Sequence, residues 1–359
     1  MAHNVFRNRR DLGSQLYCSQ VITQDYRRNY PNTEIPLITF KTSKSTGFFG
    51  EIARLSGTGL AKWDMGDGTI QNSNSFIYNY ADTTTKTVNI YLGTLIGETD
   101  ITSLRVYSDL ISGTLNLSRF NGLVDLQAYS NASLSSVIYP TNSTSLWTNI
   151  SLYSTGLSGI QDLSNIDIAG TFQIYSIAGV TGILHKVTSR TFSTYYVSNN
   201  NMTGTHDVSM LTGWGGDIRG NGNVNLTTLV CPTSSTIISI FWWNGCNLGY
   251  LDISGLLNIG GNFQVQTNPN CQYLTLPTTI NRQFTTFNAS GCSLDVTSVD
   301  AVFSKLNTWY TANPPTANLT INLSGGTNAA LTGGLANPDL VSLNNIFTTA
   351  GRILFATFN

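Results

Sequence analysis

From Leu104 onward an apolar–polar–apolar triplet returns about every 22 to 24 residues. Its instances are Leu104-Arg-Val106, Leu126-Gln-Ala128, Ile150-Ser-Leu152, Phe172-Gln-Ile174, Tyr195-Tyr-Val197, Gly216-Asp-Ile218, Ile238-Ser-Ile240, Phe263-Gln-Val265 and Thr285-Thr-Phe287. A fixed period of this length predicts stacked supersecondary units, each burying its neighbour's apolar face. Alternation within the triplet predicts a strand whose apolar pair points inward, leaving the residue between and the one after outside. The residue after is Tyr107, Tyr129, Tyr153 and Tyr175 in the first four strands, then Ser198, Arg219, Phe241, Gln266 and Asn288. With parallel strands ~4.8 Å apart, the four phenols are expected to form a column roughly 14 Å long. Two readings of that column stay open: a ladder that stabilises the sheet, or a contact surface for protein or glycan that includes Phe241.

A polar slot recurs three residues beyond the second apolar position. It holds Asn131, Asn200, Asn221 and Asn268, with Asp109, Thr155 and Ser290 as equivalents and Ile177 and Trp243 as exceptions. An amide there can satisfy backbone groups where the chain leaves the strand. A slower alternation overlies this rhythm: Asn116-Leu-Ser118, Asp162-Leu-Ser164, Asp207-Val-Ser209, Asp252-Ile-Ser254 and Asp295-Val-Thr297 lie 46, 45, 45 and 43 residues apart. Pro140, Pro232 and Pro277 fall between them, so two kinds of repeat alternate. The stretch Gly249-Tyr-Leu251-Asp-Ile-Ser254-Gly-Leu256, followed by Phe263-Gln-Val265-Gln-Thr-Asn268, resembles the surface leucine-rich repeats of Bacteroidetes bacteria and their phages. Cys271-Gln-Tyr-Leu274-Thr-Leu276-Pro277 resembles a related cysteine-and-proline variant. The likeness covers about residues 98–359 and implies an adhesive scaffold rather than a particular activity.

Upstream, Trp63-Asp-Met-Gly-Asp-Gly-Thr69, Tyr78-Asn-Tyr80 and Val88-Asn-Ile90 resemble the PKD-type immunoglobulin-like domain. That resemblance implies a β-sandwich over 36–97, with Gly66 and Gly68 in backbone conformations costly for other residues. Trp63 is expected in its core. Asp64 and Asp67 admit two roles, turn hydrogen bonding or calcium ligation, and the absence of further nearby carboxylates favours the turn. Residues 1–35 lack the repeat and concentrate Arg7, Arg9, Arg10, Arg27 and Arg28. They are expected to act as a docking arm or as a solvated terminus. From about 296 an α/β cap is expected. Thr297-Ser-Val-Asp300 has capping-box spacing, Leu319-Thr-Ile321-Asn-Leu323 reads as a strand, and Asn337-Pro338 opens a second helix that Gly351 ends before a last strand at 353–358.

Charged residues make up only 10 % of the chain, against 41 % hydrophobic and 11 % aromatic, so Ser, Thr, Asn and Gly supply the polar surface. That balance fits external β-rich fibres, spikes and adhesins rather than disorder. A net charge of −1 gives no electrostatic case for specific nucleic-acid binding. The five cysteines Cys18, Cys231, Cys246, Cys271 and Cys292 lack paired metal-binding spacing, and Cys246, Cys271 and Cys292, one per repeat, are expected to stack as buried small side chains. Neither a signal-peptide-like start nor an apolar run long enough to cross a bilayer is present, which points to particle assembly in a host cytoplasm without membrane insertion. All three glutamates, Glu34, Glu51 and Glu98, precede the repeats, so the carboxylate pair of glycoside hydrolysis is poorly supplied. His3, His185 and His206 are the only histidines, leaving little for a hydrolytic triad.

The sequence therefore predicts a mainly β protein: a PKD-type sandwich, then a leucine-rich solenoid with an α/β cap. The expected function is that of a non-enzymatic structural or attachment protein of a bacteriophage particle, present in several copies, with no cofactor and no metal. Its expected partners are other virion proteins and a host-surface glycan or protein. The rivals are a bacterial surface adhesin and a polysaccharide-degrading spike.

Overall fold

The computed structural model describes residues 35–55, 59–94, 97–141, 143–186, 191–209, 213–233, 237–256 and 258–359. Arg7, Arg9, Arg10, Arg27 and Arg28, with the arm expected around them, lie outside the described residues. The protein is mainly β and contains a β-solenoid. One 13-stranded sheet forms a long wall. Its parallel part runs from Ile101–Arg105 through Phe284–Asn288 to the last strand, Leu354–Phe358. Shorter parallel sheets line the opposite wall; one holds Thr203–Asp207, Asn225–Val230, Tyr250–Asp252 and Tyr273–Thr275.

Strand register fixes which residues are interior. Leu104, Leu126, Ile150, Phe172, Tyr195, Ile218, Phe241, Phe263, Phe287 and Ile321 follow one another across the wall. All ten are buried. Within this row Phe172 stacks on Tyr195 at 5.1 Å, and Phe241 on Phe263 at 5.3 Å. The inward pairs of three strands are therefore Ile218-x-Gly220, Phe241-x-Trp243 and Phe287-x-Ala289, not the triplets expected at 216, 238 and 285. Phe241, expected on the outer face, is a core residue at 1 % exposure. The apolar Ile237, Ile238 and Ile240, broken only by Ser239, hid the alternation there. Trp243 fills space left by Gly220, where an added Cβ would lie 2.1 Å from its ring.

The polar slot shifts with the register to Asn223, Cys246 and Cys292. Asn131 shows its use: Oδ1 accepts from the N–H groups of Asp109 and Ile111 (both 3.0 Å), and Nδ2 donates to the carbonyls of Val106 (2.9 Å) and Ala128 (3.0 Å). Asn200, Asn223 and Asn268 repeat the arrangement, each tying its own turn to the one before. In the cysteine turns, Cys246 donates to Gly220 O and Cys292 to Val265 O, both at 3.4 Å. Cys246, Cys271 and Cys292 are buried and unbridged. One residue before each slot the chain enters the left-handed region: Ser108, Ser130, Ser154, Ser176, Asn199 and Thr267 have φ of 53–58°. Gly222, Gly245 and Gly291 take the equivalent place in other turns.

Before the coil, Ile38–Thr42, Lys62–Asp64, Ile70–Asn72 and Lys86–Tyr91 share one sheet, while Phe48–Arg54 and Ser75–Tyr78 belong to the long wall. Phe40, Phe48, Trp63 and Val88 are buried, and Trp63 meets Phe76 edge-on at 5.0 Å. Both layers continue into the coil, with Ile52 pairing antiparallel with Leu104 and Thr42 with Ile111. The tight turn is held internally. Asp64 accepts from Gly66 N and Asp67 from Thr69 N, both at 3.0 Å, while the Tyr78 hydroxyl donates to Asp67 at 2.7 Å. Gly66 and Gly68 have φ of 75° and 90°, conformations that glycine adopts without steric cost.

At the far end, helix α1 (Val296–Ala312) buries Val299, Val302, Phe303, Leu306 and Tyr310. Its N-cap is Asp295, which accepts from Ser298 N at 2.8 Å, so the cap lies two residues before the expected Thr297. Helix α2 (Pro338–Thr349) starts as expected, with Asn337 as N-cap and Pro338 in its first turn. Among the described residues no helix is long and apolar enough to cross a membrane.

Candidate functional site

The outer face of the long wall carries the side chains that alternate with the buried row, and three ranks run along it. The outermost holds the tyrosines. Tyr107, Tyr129, Tyr153 and Tyr175 stack with centroid separations of 4.7, 4.5 and 4.7 Å and interplanar angles of 2°, 8° and 11°. Backbone bonds set this spacing: each left-handed serine donates its N–H to the carbonyl of the next tyrosine, Ser108 to Tyr129 at 3.0 Å and Ser130 to Tyr153 at 2.9 Å. Because the rings cover one another, solvent meets their edges and hydroxyls rather than their faces. Phe49 leans on Tyr107 at one end (5.1 Å), and Tyr196 meets Tyr175 edge-on at the other (6.2 Å).

The middle and inner ranks are polar and cross-linked. Asp125 accepts from Arg105 Nη2 (2.8 Å), Arg105 Nε (3.0 Å), Ser103 (2.9 Å), Gln127 (3.2 Å) and Asn149 (2.7 Å). Arg105 also bridges to Glu51 at 2.9 Å. Burial opposes ionisation of Asp125, but these donors outweigh it and hold the carboxyl below its ordinary range. It is a fixed anion and acceptor, not a proton donor near neutrality. Further along, the Arg219 guanidinium lies between Tyr196 (4.6 Å) and Trp242 (4.3 Å) while pairing with Asp217 at 2.9 Å. The Tyr196 hydroxyl donates to the same carboxylate at 3.0 Å. This cluster escaped the sequence reading because Tyr196 and Trp242 precede the rank in which the tyrosines were sought.

Away from this face the interior holds a polar relay. Nε2 of His185 lies 2.7 Å from the Tyr195 hydroxyl, which lies 2.9 Å from Nε2 of His206. All three side chains are buried. The one phenol can donate to one imidazole and accept from the other while both rings stay neutral. Burial, reinforced by His206, depresses His185 to about 3, and burial depresses His206 to about 4. Asp109, buried beneath Lys44 at 3.1 Å, is pushed up to about 6 by burial. Among the described residues no three His, Cys, Asp or Glu side chains converge as a metal site. The structure thus unites the four tyrosines, places Phe241 in the core three strands beyond the last of them, and leaves the five arm arginines outside the described residues. No family model, curated protein or solved structure matches the chain.

Proposed function

We propose that this is a non-enzymatic structural or attachment protein of a bacteriophage particle, which uses the outer face of the long wall as its contact surface. The observation that carries the reading is the mutual fixation of side chains on that face. Stacked phenols, the Arg105–Asp125 cluster and the Tyr196–Arg219–Trp242 sandwich hold each other in place before any partner arrives. A surface ordered in advance loses little side-chain entropy on binding. The buried amide slot supports a coil of the leucine-rich type, and the Trp63–Thr69 turn supports a PKD-like origin for the layers before it. The low charge and the polar surface of Ser, Thr, Asn and Gly support an extracellular particle.

Antibody labelling of purified particles tests the location, and their absence from labelled images refutes it. Replacing Tyr129→Ser and Tyr153→Ser together tests the face. Loss of host or particle binding at an unchanged Tm supports a contact surface, whereas a lowered Tm with intact binding reduces the column to a structural ladder.

A further inference from the structure

A solenoid needs a polar cover over its last turn, and exposed strand edges are ordinarily guarded by charge, proline or a bulge. The strand Leu354–Phe358 has none of these guards. It closes the long wall, pairing in parallel with Leu319–Leu323 through five unbroken register steps, and among the described residues no strand pairs with its outer edge. Its sequence, Leu-Phe-Ala-Thr-Phe, is uncharged. Phe355 and Ile353 are 55 % and 52 % exposed. Leu354, Ala356 and Phe358 continue the inward rows, yet they are only half-buried, whereas their counterparts Leu319, Ile321 and Leu323 are fully buried. Helix α1 covers one corner, where Phe303 meets Phe358 edge-on at 5.7 Å. Among the described residues, this last layer of the wall is left with a half-covered core.

We propose that this edge pairs antiparallel with the same strand of a second copy, about a two-fold axis at Ala356, so that two long walls become one continuous sheet. An open edge offers backbone N–H and C=O groups at alternate residues, and an extended strand satisfies them. The segment complements itself: Leu354 faces Phe358 and Phe355 faces Thr357, with no charge to repel its own copy. A two-fold pairing also closes upon itself. Joining this edge to Ser75–Tyr78, the end strand at the other side of the wall among the described residues, would generate an unlimited filament and match five residues with four. The pairing uses the end of the wall and leaves its outer face free, so its success or failure is independent of the contact surface proposed above.

The test is the oligomeric state of the full chain by sedimentation velocity at micromolar concentration. The wild type is expected as a dimer and Phe355→Lys as a monomer with unchanged far-ultraviolet circular dichroism. Ala356→Cys, oxidised in solution, is expected to give a dimer whose cross-linked peptide joins position 356 to position 356 by mass spectrometry. That link also reads out the geometry if the lysine variant misfolds. A monomeric wild type overturns the proposal. So does a dimer indifferent to Phe355→Lys, or a ladder of larger species without the 356–356 link, the signature of head-to-tail growth.

Discussion

Acidification is expected to weaken this protein through two buried imidazoles. His185 and His206 are held at about 3 and about 4 when folded, against an ordinary value near 6.5 in an unfolded chain. A base whose folded pKa is depressed is protonated first in the unfolded state. Stability is therefore complete above ~6.5 and falls as pH drops toward the folded values. Each pH unit in that window costs about 1.4 kcal/mol per imidazole, so at pH 5 the pair removes about 4 kcal/mol. Asp109 acts in the opposite sense. Its folded value of about 6 lies above the ordinary carboxyl value, so its penalty is relieved as pH falls, returning about 1 kcal/mol at pH 5. A comparison that cancels Asp109 isolates the relay. In His185→Gln/His206→Gln an amide can still meet the Tyr195 hydroxyl but does not titrate. Urea unfolding at pH 7.5, 6 and 5 is expected to show the wild type losing ground to the double variant by roughly 4 kcal/mol between the ends of the series. A free-energy difference independent of pH would refute a neutral, buried relay, as would a wild type that gains on the variant in acid.

Three further outcomes follow from the coil. Gly220→Ala sets a Cβ 2.1 Å from the Trp243 ring and is expected to cost about 1–3 kcal/mol, read as a lower urea midpoint with an unchanged m-value. Asn268→Ala strands the Leu248 N–H and the Trp243 carbonyl and leaves the Val265 carbonyl only the weaker Cys292 thiol. At about 1–3 kcal/mol for each buried group left unsatisfied, a loss of about 2 kcal/mol or more is expected in the same assay, and a loss below about 1 kcal/mol would show that water replaces the amide. Ser154 has φ of 55°, where a side chain costs roughly 1 kcal/mol or more. Ser154→Gly is therefore expected to leave Tm unchanged or raise it, and a fall of several degrees would contradict that origin of the strain.

Periodicity made the coil, the tyrosine column and most of the cap legible, because each repeats a local demand at fixed spacing. Register failed where two adjustments coincide. Gly220 removes an inward side chain, and Phe241 and Trp243 follow a run of isoleucines that supplies a false alternation. The left-handed place in each turn was hidden for a different reason: six turns fill it with Ser, Asn or Thr, so no glycine marks it. The relay was out of reach because His185, Tyr195 and His206 come from three strands in three different sheets. Pairing between the first layers and the coil, as of Ile52 with Leu104, leaves no periodic trace either. The edge-on presentation of the tyrosines follows from the side chains' rotation about their own bonds, which strand alternation does not specify.

The alternation of two kinds of turn has a consequence for how such a chain can lengthen. Asp162, Asp207 and Asp252 each close their strand by accepting from the N–H of the serine two residues on, at 2.9–3.0 Å. They lie on every second turn, so at ~4.8 Å per layer the carboxylates stand ~10 Å apart, close to the distance over which physiological salt screens one charge from another. Duplicating a single turn of this kind would bring two of them within half that distance, on the same wall. Copying about 45 residues preserves the interval. Lengthening by pairs of turns therefore avoids a like-charge contact that lengthening by one such turn would create.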